Sequence, residues 1–422
     1  MDSVCEFIVD TKHKTPKFTD EGYPCIRTPN IGRGYFILEN AKYVSEESYK
    51  EWVERAVPSE GDLIFAREAP VGNVAIIPKG LKVCHGQRTV LIRPDKTKVD
   101  SHYLMYLMLG DELQNRMYSM ASGATVPHLN MSDIRALELP ELPPLKKQKE
   151  LAGVLSVYDK LIENNNRRIA ILEEMAQSLY REWFVKFRFP GHDQSAVEPI
   201  GNAESDPEGA SARDGVSQNA KFIDSSLGKI PEGWEVKKLG DVASINPESI
   251  TKQNAPDRIN YIDIKSVGTG TIDEIKPMPF SGAPSRARRI VRDGDIIWAT
   301  VRPNRKQYSY MAKPEENTVV STGFAVIRAE TVPKSYLMQV TSTDGFVSYL
   351  VNHATGAAYP AVNSKDFENA GILLPPHAML DMFDGMCSAV LEQCELLKRK
   401  NRNLAGQRDM LLPKLISGTV LL

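Results

Sequence analysis

The sequence predicts an α+β protein made by internal duplication, with two mixed α/β domains separated by a long antiparallel two-helix coiled coil. Three observations predict it: four motifs that recur in order at a nearly constant offset, two long helical patterns with alternating four- and three-residue apolar steps, and a composition break between the halves. The duplication is read first. Gly61-Asp62-Leu63-Ile64 recurs as Gly294-Asp295-Ile296-Ile297, and Tyr103-Leu104-Met105 as Tyr336-Leu337-Met338. The segment 122–130 (SGATVPHLN) matches 355–363 (TGAAYPAVN), and Leu142-Pro143-Pro144 matches Leu374-Pro375-Pro376. All four lie 232 or 233 positions apart.

In chain order, residues 1–143 are expected as the first domain, 144–189 as a central helix and 190–228 as a flexible linker. Residues 229–376 are the second domain and 377–422 a C-terminal helix. The strands are expected after each Gly-Asp turn, at 62–66 and 295–300, with further strands at 90–93 and 325–328. The linker is rich in Gly, Ser, Ala, Asp and Glu and has no apolar periodicity, so it buries too little to offset its ordering entropy.

The central helix carries a seam at Leu151, Leu155, Tyr158, Ile162, Asn165, Ile169, Leu172, Ala176, Leu179 and Trp183. The C-terminal helix carries one at Phe383, Cys387, Val390, Cys394, Leu397, Asn401, Leu404, Arg408, Leu411 and Leu415. In an antiparallel pair the numbers of facing residues have a constant sum. A sum of 566 sets Leu151 on Leu415, Ile169 on Leu397 and Trp183 on Phe383, and brings Asn165 and Asn401 into one layer. A buried Asn pair fixes register, because a slip strands each amide among apolar groups. Pro413 is expected to break or kink the last turn. The alternative is that each helix packs on its own domain.

The 422 residues carry 52 Lys plus Arg against 54 Asp plus Glu, so the net charge of −2 excludes a simple polycation. No apolar run is long enough for a membrane span, and the N-terminus lacks a secretory pattern. Five unpaired-looking cysteines, none spaced as CxxC, argue for reduced, mostly buried thiols in a cytosolic protein. No phosphate-cradling loop is present, nor the acidic-Pro-Pro-aromatic motif of amino-methyltransferases. Asp257, Glu274 and Lys276 fit a loose nuclease pattern that chance produces often, and a solvated loop is the default there. His13, His85, His128 and His353 are scattered and are expected at the surface or in loops.

What remains is a set of polar and basic side chains on irregular segments. In the first repeat these are Arg27, Asn30, Arg33, Arg67, Gln87, Arg88, His128 and Asn130. In the second they are Arg286, Arg288, Arg289, Arg292, Arg302, Asn304, Arg305, Lys306, Gln307, Tyr359 and Asn363. Arg, Asn and Gln can form bidentate hydrogen bonds to guanine and adenine edges, and Lys and Arg hold phosphates. Singly each reads as a solvated loop residue. As sets after the same strand in both halves, with different loop sequences, they suit reading two different DNA sequences.

On these motifs the chain resembles the DNA-specificity (S) subunits of type I restriction-modification systems. The resemblance is densest at 142–189 (LPPLKKQKELAGVLSVYDKLIENNNRRIAILEEMAQSLYREWFVKFRF). It extends through 226–241 (SLGKIPEGWEVKKLGD), which opens the second domain, and 408–418 (RDMLLPKLISG). Two departures stand out: the first repeat lacks the Pro-Glu-Gly-Trp opening, and the linker is long. The resemblance implies two target-recognition domains held apart by antiparallel helices, each reading one half of a split double-stranded DNA site. The helices would set the unread spacer and dock two methylation subunits that carry S-adenosylmethionine. A motor-nuclease subunit using ATP and Mg would join for restriction. No cofactor or metal is implied for this chain, no catalytic residue, and a cytoplasmic location. A stand-alone nuclease and a purely structural coiled-coil adaptor are the competing readings.

Overall fold

The computed structural model describes residues 1–38, 41–123, 126–190 and 221–416. The chain forms two units. The first comprises Met1–Asn166 and Arg399–Leu422, the second Arg167–Lys398.

In the first unit, one sheet holds β1 (Cys5–Asp10), β5 (Leu63–Ala66), β6 (Val74–Ile76) and β8 (Thr89–Pro94) in the order β1-β8-β5-β6, all antiparallel. A second sheet holds β2 (Phe18–Thr19), β3 (Tyr23–Ile26), β4 (Lys42–Val44) and β7 (Cys84–His85) in the order β2-β4-β3-β7. Its β3–β7 pair is parallel. Helix α1 (Glu46–Trp52) follows β4. Helices α2 (Ser101–Leu109), α3 (Asp111–Met120) and α4 (Met131–Ala136) follow the sheets and lead into α5 (Leu145–Tyr180). All four residues of β5 are buried, because this central strand is covered on both faces.

In the second unit, the end of α5 is followed by a hairpin, β9 (Phe222–Ser225) and β10 (Gly228–Pro231), and by β11 (Glu235–Lys238). Its first four-stranded sheet holds β12 (Ala243–Ile245), β16 (Ile296–Ala299), β17 (Tyr308–Tyr310) and β19 (Phe324–Ala329) in the order β12-β19-β16-β17. That is the order of β1-β8-β5-β6, again fully antiparallel. A second sheet of β13 (Arg258–Ile262), β14 (Lys276–Pro279), β15 (Ala287–Ile290) and β18 (Thr318–Ser321) repeats the parallel pair, here β13–β18. Helices α6 (Lys334–Ser342), α7 (Asp344–His353) and α8 (Ser364–Glu368), strand β20 (Gly371–Leu374) and the first half of α9 (His377–Ile416) complete it.

Both units bury the same ion pair behind the Gly-Asp turn. Arg93 Nε and Nη2 donate to Asp62 at 2.8 and 2.7 Å, and Arg328 Nε and Nη2 donate to Asp295 at 2.8 and 2.8 Å. Each carboxylate also accepts a backbone N–H at the turn, from Ser59 and from Arg292. The recurrent buried aspartate thus satisfies the turn and pairs with a partly buried arginine.

The long helices pair antiparallel within each unit. In the first, Leu151 and Leu155 share a core with Leu412 and Leu415, and Arg408 Nη1 meets Asp159 Oδ1 at 2.5 Å. Asn165 Nδ2 lies 2.8 Å from Asn401 Oδ1, and Asn401 Nδ2 donates to Asn166 Oδ1 at 2.7 Å. In the second, Ile169 packs with Cys394 and Leu397, and the Trp183 and Phe383 rings lie 6.0 Å apart. Helix α9 continues through Pro413 to Ile416 rather than breaking. Only one turn follows the proline, and burial of Leu412 and Leu415 offsets its missing hydrogen bond.

Two further expectations need correction. The expected linker lies mostly on 191–220, outside the described residues, but its end is ordered as β9 and β10, because Phe222 packs on Phe187 at 5.7 Å between ring centres. His85 is buried on β7, not in a loop, and its imidazole is tied to Thr89. The Trp234 that opens the second domain is also buried, packed against Phe184, Phe187 and Phe189 at 5.4–5.9 Å.

Candidate nucleic-acid interface

In both units the loop that leaves the central buried strand is stapled to the shared Gly-containing motif. In the first, Ser122 and His128 exchange backbone hydrogen bonds of 2.9 and 2.8 Å, and Leu129 N donates to Arg67 O at 2.9 Å. In the second, Thr355 and Ala361 exchange bonds of 2.9 Å. Arg302 N then donates to Pro360 O at 2.7 Å, and Val362 N to Thr300 O at 2.9 Å. Glycine is required in this turn, since Gly123 and Gly356 have φ of 108° and 102°. Ala124 and Thr125 of the motif lie outside the described residues.

The first unit gathers Arg67, Gln87 and Arg88 around an open cleft of about 250 Å³, together with Asp10, His13 and Glu68. Arg88 has a left-handed φ of 67°, and its Nε lies 2.9 Å from Glu68 Oε1. The Arg67 Nε is buried and has no hydrogen-bond acceptor among the described residues. His13 pairs with Asp10 at 3.1 Å. His128 is half-buried, with Nε2 3.4 Å from Ser122 Oγ. Gly86 N donates to Ile26 O at 2.8 Å, which sets the half-buried Arg27 beside the Gln87–Arg88 turn.

The second unit presents a differently built loop. Arg302 and Lys306 are left-handed, with φ of 54° and 51°, and flank the turn Pro303–Arg305. The Arg302 guanidinium stacks 4.5 Å over the ring of Tyr359, a side chain 67% exposed. Asn304 and Arg305 are exposed at the tip. Left-handed non-glycine residues cost about 1–3 kcal/mol each, so the fold holds this loop in place against local strain.

Other candidates are committed to the fold. Asn30 is 1% exposed; its amide accepts from Arg27 N at 3.2 Å and donates to Ile37 O at 3.0 Å. Gln307 donates to Val267 O and Ile264 O at 2.9 and 3.3 Å. Asn130 and Asn363 are the N-caps of α4 and α8, each in a capping box with the aspartate three residues on. Arg33 donates to Leu109 O at the end of α2, at 2.8 Å. Arg286 pairs with Asp263 at 2.7 Å, and Arg292 with Glu248 at 2.8 Å. Arg288 lies over Phe280 at 5.0 Å, and burial pushes the pKa of Arg289 down. Lys306 pairs with Asp344 at 2.7 Å. The Arg286–Arg292 run belongs to the sheet of β15, not to the Arg302 loop. At the loose nuclease pattern, Lys276 is paired with Glu274 at 3.2 Å.

Residues 1–174 match the family described as the type I restriction modification DNA specificity domain. The type I restriction enzyme MjaIX specificity subunit of Methanocaldococcus jannaschii is 26% identical over 395 residues, covering 91% of this chain and 83% of that protein. The putative MjaX specificity subunit of the same organism is 24% identical, covering 94% and 87%. Over nearly its whole length the chain is similar to type I restriction enzyme specificity subunits. Its fold is also that of the type-I restriction-modification system S subunit from M. genitalium, with a TM-score of 0.51 at 15% identity, covering 98% of this chain and 94% of that one. Specificity subunits are the non-catalytic, DNA-recognising components of such systems.

In this chain, the sequence alone did not reveal the roles of Glu68 and of the arginine partners of the Gly-Asp turns. Arg93 and Arg328 occupy matching strands, so the duplication itself could have found them. Glu68 has no counterpart in the second loop and gives no such signal.

Proposed function

We propose that this chain reads a bipartite double-stranded DNA site for a type I restriction-modification complex, one half-site through each unit. One observation carries this reading. The same scaffold, with the same backbone staples, presents Arg67, Gln87 and Arg88 in one unit and Arg302, Asn304 and Arg305 in the other. Two equivalent frames with different donors and acceptors read two different base sequences. The paired helices set the unread spacer and dock two methylation subunits, which bring S-adenosylmethionine. A motor-nuclease subunit, with ATP and Mg, joins for restriction, and the complex works in the cytoplasm. With a net charge of −2, this chain alone binds DNA weakly and with strong salt dependence, and its partners supply much of the phosphate neutralisation.

The test is a methylome. The chain is co-expressed with its cognate methylation subunit, and modified adenines are mapped with and without it. A split motif that appears only with the chain supports the reading. No new methylation from a confirmed, cofactor-binding complex refutes it in favour of the adaptor.

A further inference from the structure

Among the charged side chains around the first-unit cleft, one pair has a geometry that goes beyond general DNA binding. Arg88 sits at a left-handed backbone position, φ 67°, which a non-glycine residue adopts only when its surroundings impose it. They do so here from both sides. Its carbonyl accepts from Arg67 N at 3.1 Å, tying it to the loop after β5. Its Nε lies 2.9 Å from Oε1 of Glu68 on that same loop. Glu68 is largely covered, its side chain 17% exposed, while the Arg88 side chain stays 61% exposed. A covered carboxylate thus holds the inner edge of a guanidinium whose remaining surface faces water.

That arrangement removes the main cost of using an arginine for recognition, the entropy of a long side chain. A free arginine on a loop tip must be ordered at the moment of binding. One fixed by its Nε presents its terminal nitrogens already aimed. Two parallel N–H donors at guanidinium spacing match O6 and N7 of guanine in the major groove, and no other base offers two acceptors there. We propose that Arg88 reads a guanine in the half-site of the first unit, and that Glu68 is its positioning residue. The inference rests on the bipartite-site reading above and names one base within it. In the second unit Arg302 is held differently, stacked on Tyr359 with its Nη2 donating to Ala358 O at 3.2 Å.

The test compares methylomes of the full chain, co-expressed with its methylation subunit, for the wild type and the variants Arg88→Ala, Arg88→Lys and Glu68→Ala. The wild-type arm tests the underlying reading by itself: absence of any split motif overturns that reading before the variants are considered. Given a wild-type motif, Arg88→Ala is expected to relax one G·C position in one half-site, lowering discrimination there about 5- to 150-fold, the range of one bidentate base contact. Arg88→Lys keeps the charge and the phosphate attraction but loses the fork, so it is expected to relax the same position. It also keeps the test open if the alanine variant fails to fold. Glu68→Ala is expected to relax that position to a smaller extent, and in combination with Arg88→Ala to add nothing there. A uniform fall across all sites in the arginine variants would make Arg88 a phosphate contact and overturn the proposal. So would an unchanged motif, a relaxed A·T position, or a Glu68→Ala effect at a different position.

Discussion

Arg328→Leu is the most informative test of how the reading scaffold is held. Asp295 is fully buried, and Arg328 supplies two hydrogen bonds of 2.8 Å to it, besides a third to Glu248. Leucine leaves the carboxylate with its backbone partner Arg292 N and no counter-charge. Removing one partner of a buried ion pair costs about 3–5 kcal/mol. Arg328 keeps some solvent contact, 22% of its side chain, so the low end of about 3 kcal/mol applies. For a unit of this size each kcal/mol lowers the melting temperature by about 2–4 °C, giving a fall of roughly 6–12 °C. The assay is differential scanning calorimetry of the full chain, with hydrogen exchange at Ile296–Ala299 to assign the transition. Exchange should accelerate there and stay unchanged at Leu63–Ala66. A fall under about 2 °C, or equal acceleration in both strands, would refute the argument that the fork carries a separate share of each unit's stability.

The remaining predictions use other parts of the molecule. Trp234→Ala should destabilise the second unit by about 3–5 kcal/mol, read as an earlier calorimetric transition, because Trp234 is buried among three phenylalanines. Burial pushes the His85 pKa down to about 4, well below its ordinary value of about 6.5, so the unfolded chain takes up the proton first. Its contribution is therefore intact above about pH 6.5 and is lost as pH falls towards 4; urea midpoints of the first unit should drop across that window and flatten in His85→Gln. Arg292 and Arg328 hold the Glu248 carboxyl down to about 2, so its contribution is present above the ordinary carboxylate range and is lost as pH falls through about 2, an acid limb that Glu248→Gln should shorten. Inserting seven residues near Asn165 should lengthen the unread spacer of the methylated motif or abolish methylation; an unchanged motif would remove the spacer role of the helices. Arg302→Ala should relax one half-site only, by about 1–3 kcal/mol at one position, read from the same methylome.

The duplication and the helix register were legible because they are written as intervals. A four-three alternation places Asn165 and Asn401 in one layer without knowledge of anything else in the fold. The intramolecular partners of single loop residues were not legible, because they depend on distant parts of the chain. Asn30 and Gln307 have the right chemistry for adenine, but backbone carbonyls that only folding brings near them consume that capacity. Asn130 and Asn363 also carry a local role legible in the sequence, since an Asn followed three residues later by Asp is itself a capping signal. Glu68 was invisible because its importance lies in a contact with Arg88, on a loop twenty residues away in the chain. The hairpin at Phe222–Pro231 was hidden by its composition, because its aromatic anchor on Phe187 is a long-range contact.

The second unit is one uninterrupted stretch, Arg167–Lys398, set inside a first unit whose two pieces, Met1–Asn166 and Arg399–Leu422, flank it. A gene for such a chain can exchange one whole unit by two crossovers, at codons near 167 and near 398. Each product would inherit intact helix pairing in both units, provided the incoming block keeps the heptad phase at its borders. Change of one half of the product's preference then requires no coordinated point mutations. A frameshift or stop inside the block has the opposite effect, since it also deprives the first unit of Arg408, Leu412 and Leu415.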